Sequence, residues 1–235
     1  MRGPQLPTCA VGAPDGGTPE LEHVTDLAKA RRSVREYTAQ PVDRGLVMQL
    51  CEAAAWAPSN WNGQPWQFIV IDDPAVRGRV CALLDDRADE VAGSGGDVRL
   101  VRFVEHCRRY FRVLHECSVL VLACYKPAGR IIEEAVAERL NAPGATAAFN
   151  PNLLSLGMAA QNFLLAAHAA GLGACFHSGP VAFLRGHVNA LLGLPPRLEL
   201  AGVITLGWPS PCAAPRTVTR KPLDHLVRFG DSTRT

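Results

Sequence analysis

The sequence predicts a single α+β domain. Three short apolar runs, WQFIVID (66–72), SVLVLACY (118–125) and LELAGVITLG (198–207), have the length and apolar content of buried strands. Longer segments with apolar residues at helical spacing lie between them, and the two kinds do not alternate strictly as β-α-β. At 235 residues and 48% apolar content the chain can bury one sizeable core, and no linker marks a second domain. The expected organisation is a flexible Pro/Gly-rich tail over 1–20 followed by one domain over 21–235.

Each element has its own signal. Leu21, Val24, Leu27 and Ala28 share one helical face, so a first helix is expected over 21–32. Asp43 is placed to cap a second helix whose stripe is Leu46, Val47, Leu50, Ala53 and Ala54, and Ala57-Pro58 stops it. Strand 66–72 ends at Asp72-Asp73-Pro74, and Pro74 suits the first turn of a third helix over roughly 75–91. AGSGGD (92–97) is a loop, a basic helix follows near 98–115, and strand 118–125 comes next. Residues 126–151 mix Gly, Pro and charge with a short helical pattern, in which Glu133, Glu134 and Glu138 form the wet face, and predict a flap. Segment 152–173 is apolar nearly all round, yet Gln161, Asn162 and His168 interrupt it. It reads as a helix buried between layers or subunits, closed by Gly171 and Gly173. A short helix is expected over 181–192, ahead of the breaker Gly193-Leu194-Pro195-Pro196 and strand 198–207.

Charge and cysteine usage exclude several classes. Lys+Arg 24 against Asp+Glu 22 leaves a net charge of +2, too balanced for a generic nucleic-acid binder. The eight cysteines are scattered with no C-x-x-C pair, which favours buried reduced thiols over disulfides or zinc. No metal-ligand spacing or Ser-His-Asp arrangement is evident. The first residues lack the apolar stretch of a signal peptide, so the expected location is cytoplasmic.

Two motifs carry chemistry. ARRSVREY (30–37) puts Arg31, Arg32, Ser33 and Arg35 in one short non-helical turn. Guanidinium forks with a hydroxyl beside a helix end are what a phosphate recognises. Read alone, the turn is equally well a solvated charge cluster. APSNWNGQPW (57–66) then offers Ser59, Asn60, Asn62 and Gln64 between prolines, the alternating donors and acceptors that a flavin's pyrimidine edge and ribityl chain require. An ordinary polar loop does not explain four hydrogen-bonding side chains on one rigid turn. GLGACF (171–176) starts like a dinucleotide fingerprint, but it follows a helix and lacks the last glycine, so it is a helix end.

RRSVREY with Pro41-Val42 and AAAWAPSNWNGQPWQFIV, then AAQNFLLAAHAAGLGACF, GVITLGWP and RKPLDHLV, resemble the nitroreductase family of FMN enzymes in residue type and order. The resemblance spans about 21–228, with 86–150 poorly matched. It implies a nitroreductase-like fold, a mixed and mainly antiparallel sheet flanked by helices, in an intertwined homodimer with FMN at the subunit interface. It further implies that Arg31, Arg32, Ser33 and Arg35 contact the FMN phosphate, ribityl chain and pyrimidine edge. Pro58, Ser59, Asn60 and Asn62, with Gln64 close by, would line the other side from the second subunit. Phe176, His177, Ser178 and Gly179 fall where the family runs backbone along the isoalloxazine, with a Ser178 or Gly179 N–H facing N5. Arg220 matches the late basic residue that pairs with the phosphate, and Lys221 matches less well. Ser178 stands where family members often carry an acidic residue, and Trp61 replaces a commonly small one, so substrate identity does not carry over.

The activity this implies is ping-pong hydride transfer from NAD(P)H through flavin N5 to a nitroaromatic, quinone or similar electron-poor molecule, with no side-chain acid or base. Two alternatives remain open on sequence. One is an FMN-dependent oxidase or dehydrogenase that desaturates a natural product and returns electrons to oxygen. The other is a flavin store or sensor without turnover.

Overall fold

A computed structural model describes residues 18–95, 97–128, 139, 150–211 and 218–230. Residues 1–17 of the expected tail and most of the expected flap, including Glu133, Glu134 and Glu138, lie outside them. Helix α1 (Pro19–Ala30) starts two residues before the predicted 21, because Thr18 accepts the Leu21 N–H and Pro19 fills the first turn. It ends at Ala30, where Arg31 turns extended at φ −55°, ψ 133°. Helix α2 (Arg44–Ala55) is capped by Asp43, and α3 (Pro74–Gly93), after strand β1 (Trp66–Ile71), by Asp73. Asp97 caps α4 (Val98–Glu116), which leads to β2 (Val119–Tyr125). Asn150 caps α5 (Pro151–Ala169) through the N–H groups of Asn152 and Leu153.

The next segment departs from expectation. Gly171 (φ +76°) ends the helix as predicted, but Gly173–His177 then forms a strand, β3. Its five residues are too few to show a period of two, and the preceding glycines masked it. The single helix predicted over 181–192 is two, α6 (Val181–Leu184) and α7 (His187–Leu192), because Arg185 is extended and Gly186 takes φ +81°. Strand β4 (Glu199–Gly207) completes the set.

The strands form one sheet in the order β1-β2-β4-β3, and every strand pair is antiparallel. The parallel component is limited, among the described residues, to an isolated bridge between Ser33 and Ala174. Side-chain alternation builds two cores. Leu120, Leu122 and Cys124 of β2 face α3, α4, α6 and α7, while Val119 and Val121 face α2 and α5. A register shift opposite Ala123/Cys124 turns Leu200 to the same side as Val203, against the strict alternation. β2 is buried along its whole length, as its unbroken apolar run requires.

Helix α5 settles the reading of its apolar segment. Leu156, Ala159, Phe163 and Ala167 are buried, Phe163 stacks on Phe68 at 5.8 Å, and Leu153, Leu154 and Met158 are exposed. Among the described residues no helix is long and apolar enough to cross a membrane. Cys51, Cys81, Cys107, Cys117, Cys124 and Cys175 form no disulfide, and burial pushes the Cys117 and Cys124 thiols up to about 12. Such thiols are unreactive near neutrality.

Phe163→Ala should destabilise the chain by about 3–5 kcal/mol, the range for deleting a fully buried aromatic ring. Urea unfolding followed by circular dichroism measures it, and a loss under about 1 kcal/mol would contradict this packing.

Candidate functional site

The arginine-bearing arm, residues 31–37, lies along the free edge of β3. Its backbone is held by the Val34 N–H to the Ala174 carbonyl (3.2 Å), with Thr38 N–H to Trp208 O (2.9 Å) and Ser210 N–H to Glu36 O (2.9 Å) just beyond. Two glycines permit this approach. A Cβ on Gly173 would sit 2.6 Å from a Val34 methyl, and one on Gly207 would sit 3.0 Å from the Tyr37 ring. The first distance forces a shift and the second is tight, so the arm docks closely where side chains are missing.

Each arm residue has a distinct place. Arg31 makes no side-chain bond or ion pair among the described residues. Arg32 turns back, donating to the carbonyls of Lys29 and Arg31 (2.9 Å for the latter), and so caps the C-terminus of α1. Ser33 is exposed and bridges to Ala174 through its backbone. Arg35 is half-buried, donates to the Ser33 carbonyl at 3.2 Å, and holds its guanidinium 5.7 Å from the Tyr110 ring centre. Its Nε is fully buried with no protein acceptor. Tyr37 is anchored by three contacts: the Val34 carbonyl at 2.7 Å, the Thr205 carbonyl at 3.2 Å and the Thr205 hydroxyl at 2.8 Å. Burial raises its phenol well above the ordinary range.

Arg35 opens onto a cavity of about 290 Å³ between the end of β3 and α4. The strand end supplies Phe176, His177, Ser178, Gly179 and Pro180, and α4 supplies Phe103, His106, Cys107, Tyr110 and Phe111. The Ser178 and Gly179 carbonyls accept the N–H groups of Val181 and Ala182, which turns this stretch into α6. Phe176 lies over Gly202, where an added Cβ would come within 2.0 Å of its ring. His177 is buried beside the cavity and bonds Thr205 through Nε2 at 3.0 Å. Burial, reinforced by Arg35, lowers its pKa to about 4, so it is neutral at pH 7.

A second recess of about 500 Å³ adjoins the first, sharing Arg35 and Tyr110, and adds Arg108, Arg109 and Arg112. Sequence reasoning missed this α4 wall. Its signal lies in RRYFR (108–112), a basic run interleaved with aromatics, but in the sequence that helix reads only as a connector.

The amide-rich turn is rigid and strained. Trp61, Asn62 and Gln64 all hold positive φ (53°, 52° and 43°). Left-handed backbone of this kind costs on the order of 1 kcal/mol or more per residue and concentrates at functional sites. The Ser59 hydroxyl accepts the Gln64 N–H at 3.0 Å, and the Asn60 N–H donates to Ser155 of α5 at 3.1 Å. Asn60, Asn62 and Gln64 point to solvent, as does Pro58. Within one chain this turn lines neither cavity, so Arg35 and residues 176–179 come together while 58–64 stand apart. Arg220 also lies apart, exposed on the 218–230 segment.

The profile of the Nitroreductase family matches residues 28–208. The chain therefore belongs to the nitroreductase family. It is 29% identical over 212 residues to an NADH dehydrogenase of Thermus thermophilus, covering 89% of this chain and 96% of that one. Among solved structures it resembles a BluB-like flavoprotein of Clostridium difficile 630 (25% identity, TM-score 0.76, 88% of this chain and 99% of that one). A nitroreductase-type protein of Desulfovibrio desulfuricans, solved with FMN, is 27% identical at a TM-score of 0.61, covering 92% of this chain and 99% of that one.

Two outcomes follow from this geometry. Gly173→Ala should lift the arm, so limited trypsin digestion should cleave at Arg31, Arg32 or Arg35 faster than in the parent; equal rates would contradict the docking. The folded pKa of His177, about 4, lies below its ordinary 6.5, so the unfolded chain takes up a proton that the folded one refuses. Its contribution is whole above pH 6.5, is lost as pH falls to about 4, and amounts to on the order of 3 kcal/mol. Unfolding free energies of His177→Leu should therefore fall less steeply than the parent's across that window.

Proposed function

We propose that this chain is an FMN-dependent oxidoreductase that takes hydride from NAD(P)H and passes it to a nitroaromatic, quinone or similar electron-poor small molecule. One observation carries the reading: the Arg35 guanidinium, held over the Tyr110 ring, lines an aromatic cavity edged by Ser178 and Gly179. A cation on an aromatic wall suits a planar ligand that is anionic or carries carbonyl oxygens. The residues present fit FMN in other respects. Arg31 and Ser33 stand ready for a phosphate and ribityl chain, Arg35 for the pyrimidine edge, and Phe176, His177, Ser178 and Gly179 for the ring. Arg32 is occupied by its helix cap, so it serves phosphate only by releasing that cap.

The site is completed by a second copy of the chain. The turn Pro58, Ser59, Asn60, Asn62 and Gln64 lies outside its own chain's cavities, and Arg220 lies on an exposed segment, so both would reach a flavin on a neighbouring subunit. Exposed apolar side chains support a homodimer: Leu21, Val24, Met48, Trp56, Trp61 and Met158 on the body, with Leu223, Leu226 and Phe229 on the 218–230 segment.

When bound, FMN supplies the hydride acceptance and donation at N5, and the chain supplies position and charge. Arg35 holds a cation against the pyrimidine edge and so favours negative charge there. His177, neutral beside it, adds no competing charge. The antiparallel sheet offers no separate nucleotide fold among the described residues, so NAD(P)H and the second substrate would bind in turn at the one site.

Anaerobic mixing with NADH or NADPH should bleach the flavin's visible band within the turnover time. Bleaching by an organic donor alone would instead favour the oxidase reading, and inertness to every donor a flavin store. Arg31→Ala should weaken FMN binding by about 1.5–3 kcal/mol, the range for a charge-assisted hydrogen bond, and unchanged flavin retention on gel filtration would contradict that role.

A further inference from the structure

A buried hydrogen-bond relay ties the arm to the cavity, and its donors can be assigned one by one. The Val34 carbonyl can only accept, and at 2.7 Å it takes the Tyr37 hydroxyl proton. The 2.8 Å contact between Tyr37 and the Thr205 hydroxyl must then use the threonine proton. The other acceptors in reach of that proton are the Cys175 carbonyl at 3.5 Å and His177 Nε2 at 3.0 Å, and choosing either would leave two oxygens 2.8 Å apart with no hydrogen between them. With its proton committed, Thr205 Oγ1 accepts at 3.0 Å from His177 Nε2. The order is His177 to Thr205 to Tyr37 to Val34.

This order fixes the histidine tautomer. Nε2 carries the hydrogen, and Nδ1 of the neutral ring is an acceptor. His177 lines the aromatic cavity together with Arg35, whose guanidinium carries donors only. Arg35 and His177 thus share one aromatic-walled cavity, the first able to donate and the second to accept. A planar ring whose edge carries an N–H next to a carbonyl matches both.

We infer that His177 Nδ1 accepts the N3–H of the flavin's pyrimidine ring while Arg35 donates to an adjacent carbonyl oxygen, with Thr205 and Tyr37 as positioning residues that set the tautomer. The inference rests on the FMN reading above. It deepens it by naming what distinguishes the imide edge from other planar edges. Sequence position alone does not reveal it, because the acceptor character of His177 is created by Thr205 and Tyr37, which lie far from it in the chain.

The test is competition between FMN and its N3-methyl analogue, which carries a methyl group in place of the N3 hydrogen, for the purified flavin-loaded protein. Bound flavin is read by its quenched fluorescence, so no turnover is involved. The parent should prefer FMN by about tenfold, as one buried hydrogen bond predicts. His177→Leu should bring the ratio to within about twofold of unity, the value expected once that bond is gone. Thr205→Val should give an intermediate ratio, because Nε2–H loses its acceptor and the tautomers mix. A parent ratio near unity, or a tenfold preference that survives both substitutions, overturns the inference while leaving the FMN reading intact. Should His177→Leu fail to fold, the parent and Thr205→Val ratios decide. Protein that takes up neither flavin overturns the FMN reading, and the inference with it.

Discussion

The site depends on one constraint, the docking of residues 31–37 along the open edge of β3. Backbone bonds hold it only at points, through the isolated bridges Ser33–Ala174 and Tyr37–Pro209. What secures it is contact without Cβ atoms at Gly173 and Gly207, together with the Tyr37 hydroxyl buried against Thr205. Once Val34 and Tyr37 are seated, Arg35 has one direction left, toward α4 and the end of β3. The guanidinium is then held by Ser33 and the face of Tyr110, with its Nε turned inward.

That arrangement explains why so charged a segment belongs to an otherwise balanced chain. A free arginine cluster would be repulsive and solvated. Here the three arginines have separate roles. Arg32 closes the carbonyl end of α1, Arg31 makes no side-chain bond among the described residues, and Arg35 is drawn into the protein. Burial of Arg35 beside His177 works in the same direction, because the cation and the apolar surroundings both keep the imidazole neutral. Strain in the 61–64 turn serves position as well, since three left-handed residues persist only where surrounding bonds, such as those to Ser59 and Ser155, over-determine them.

Most of the fold was legible in the sequence, for reasons that lie in local chemistry. The cap Asp43, the helix-starting Pro74 and the breakers around Pro58 and Gly193 act within a few residues, so helices α2 and α3 appear where their signals stand. Strand β3 was not legible, because five residues after a glycine-ended helix carry no periodicity and its identity comes from pairing with β4. The candidate site divides in the same way. Arg31, Ser33 and Arg35 stand out as a run, and the structure brings Arg35 to Phe176, His177, Ser178 and Gly179. The α4 wall and the Thr205–Tyr37 relay were hidden, because they exist only after β4 crosses the sheet and residues 168 apart in sequence meet. The helix-capping role of Arg32 was equally hidden, since nothing in RRSVR says which arginine turns back.

The central claim is that the docked arm and the turn of a second subunit together make one flavin site per chain. Titrating FMN into the purified protein during sedimentation, with absorbance read at the flavin's visible band, tests it directly. One flavin per chain, confined to the dimer boundary and lost as dilution produces monomer, is the predicted result. A monomer boundary that carries flavin, or a dimer that takes up none, would contradict it.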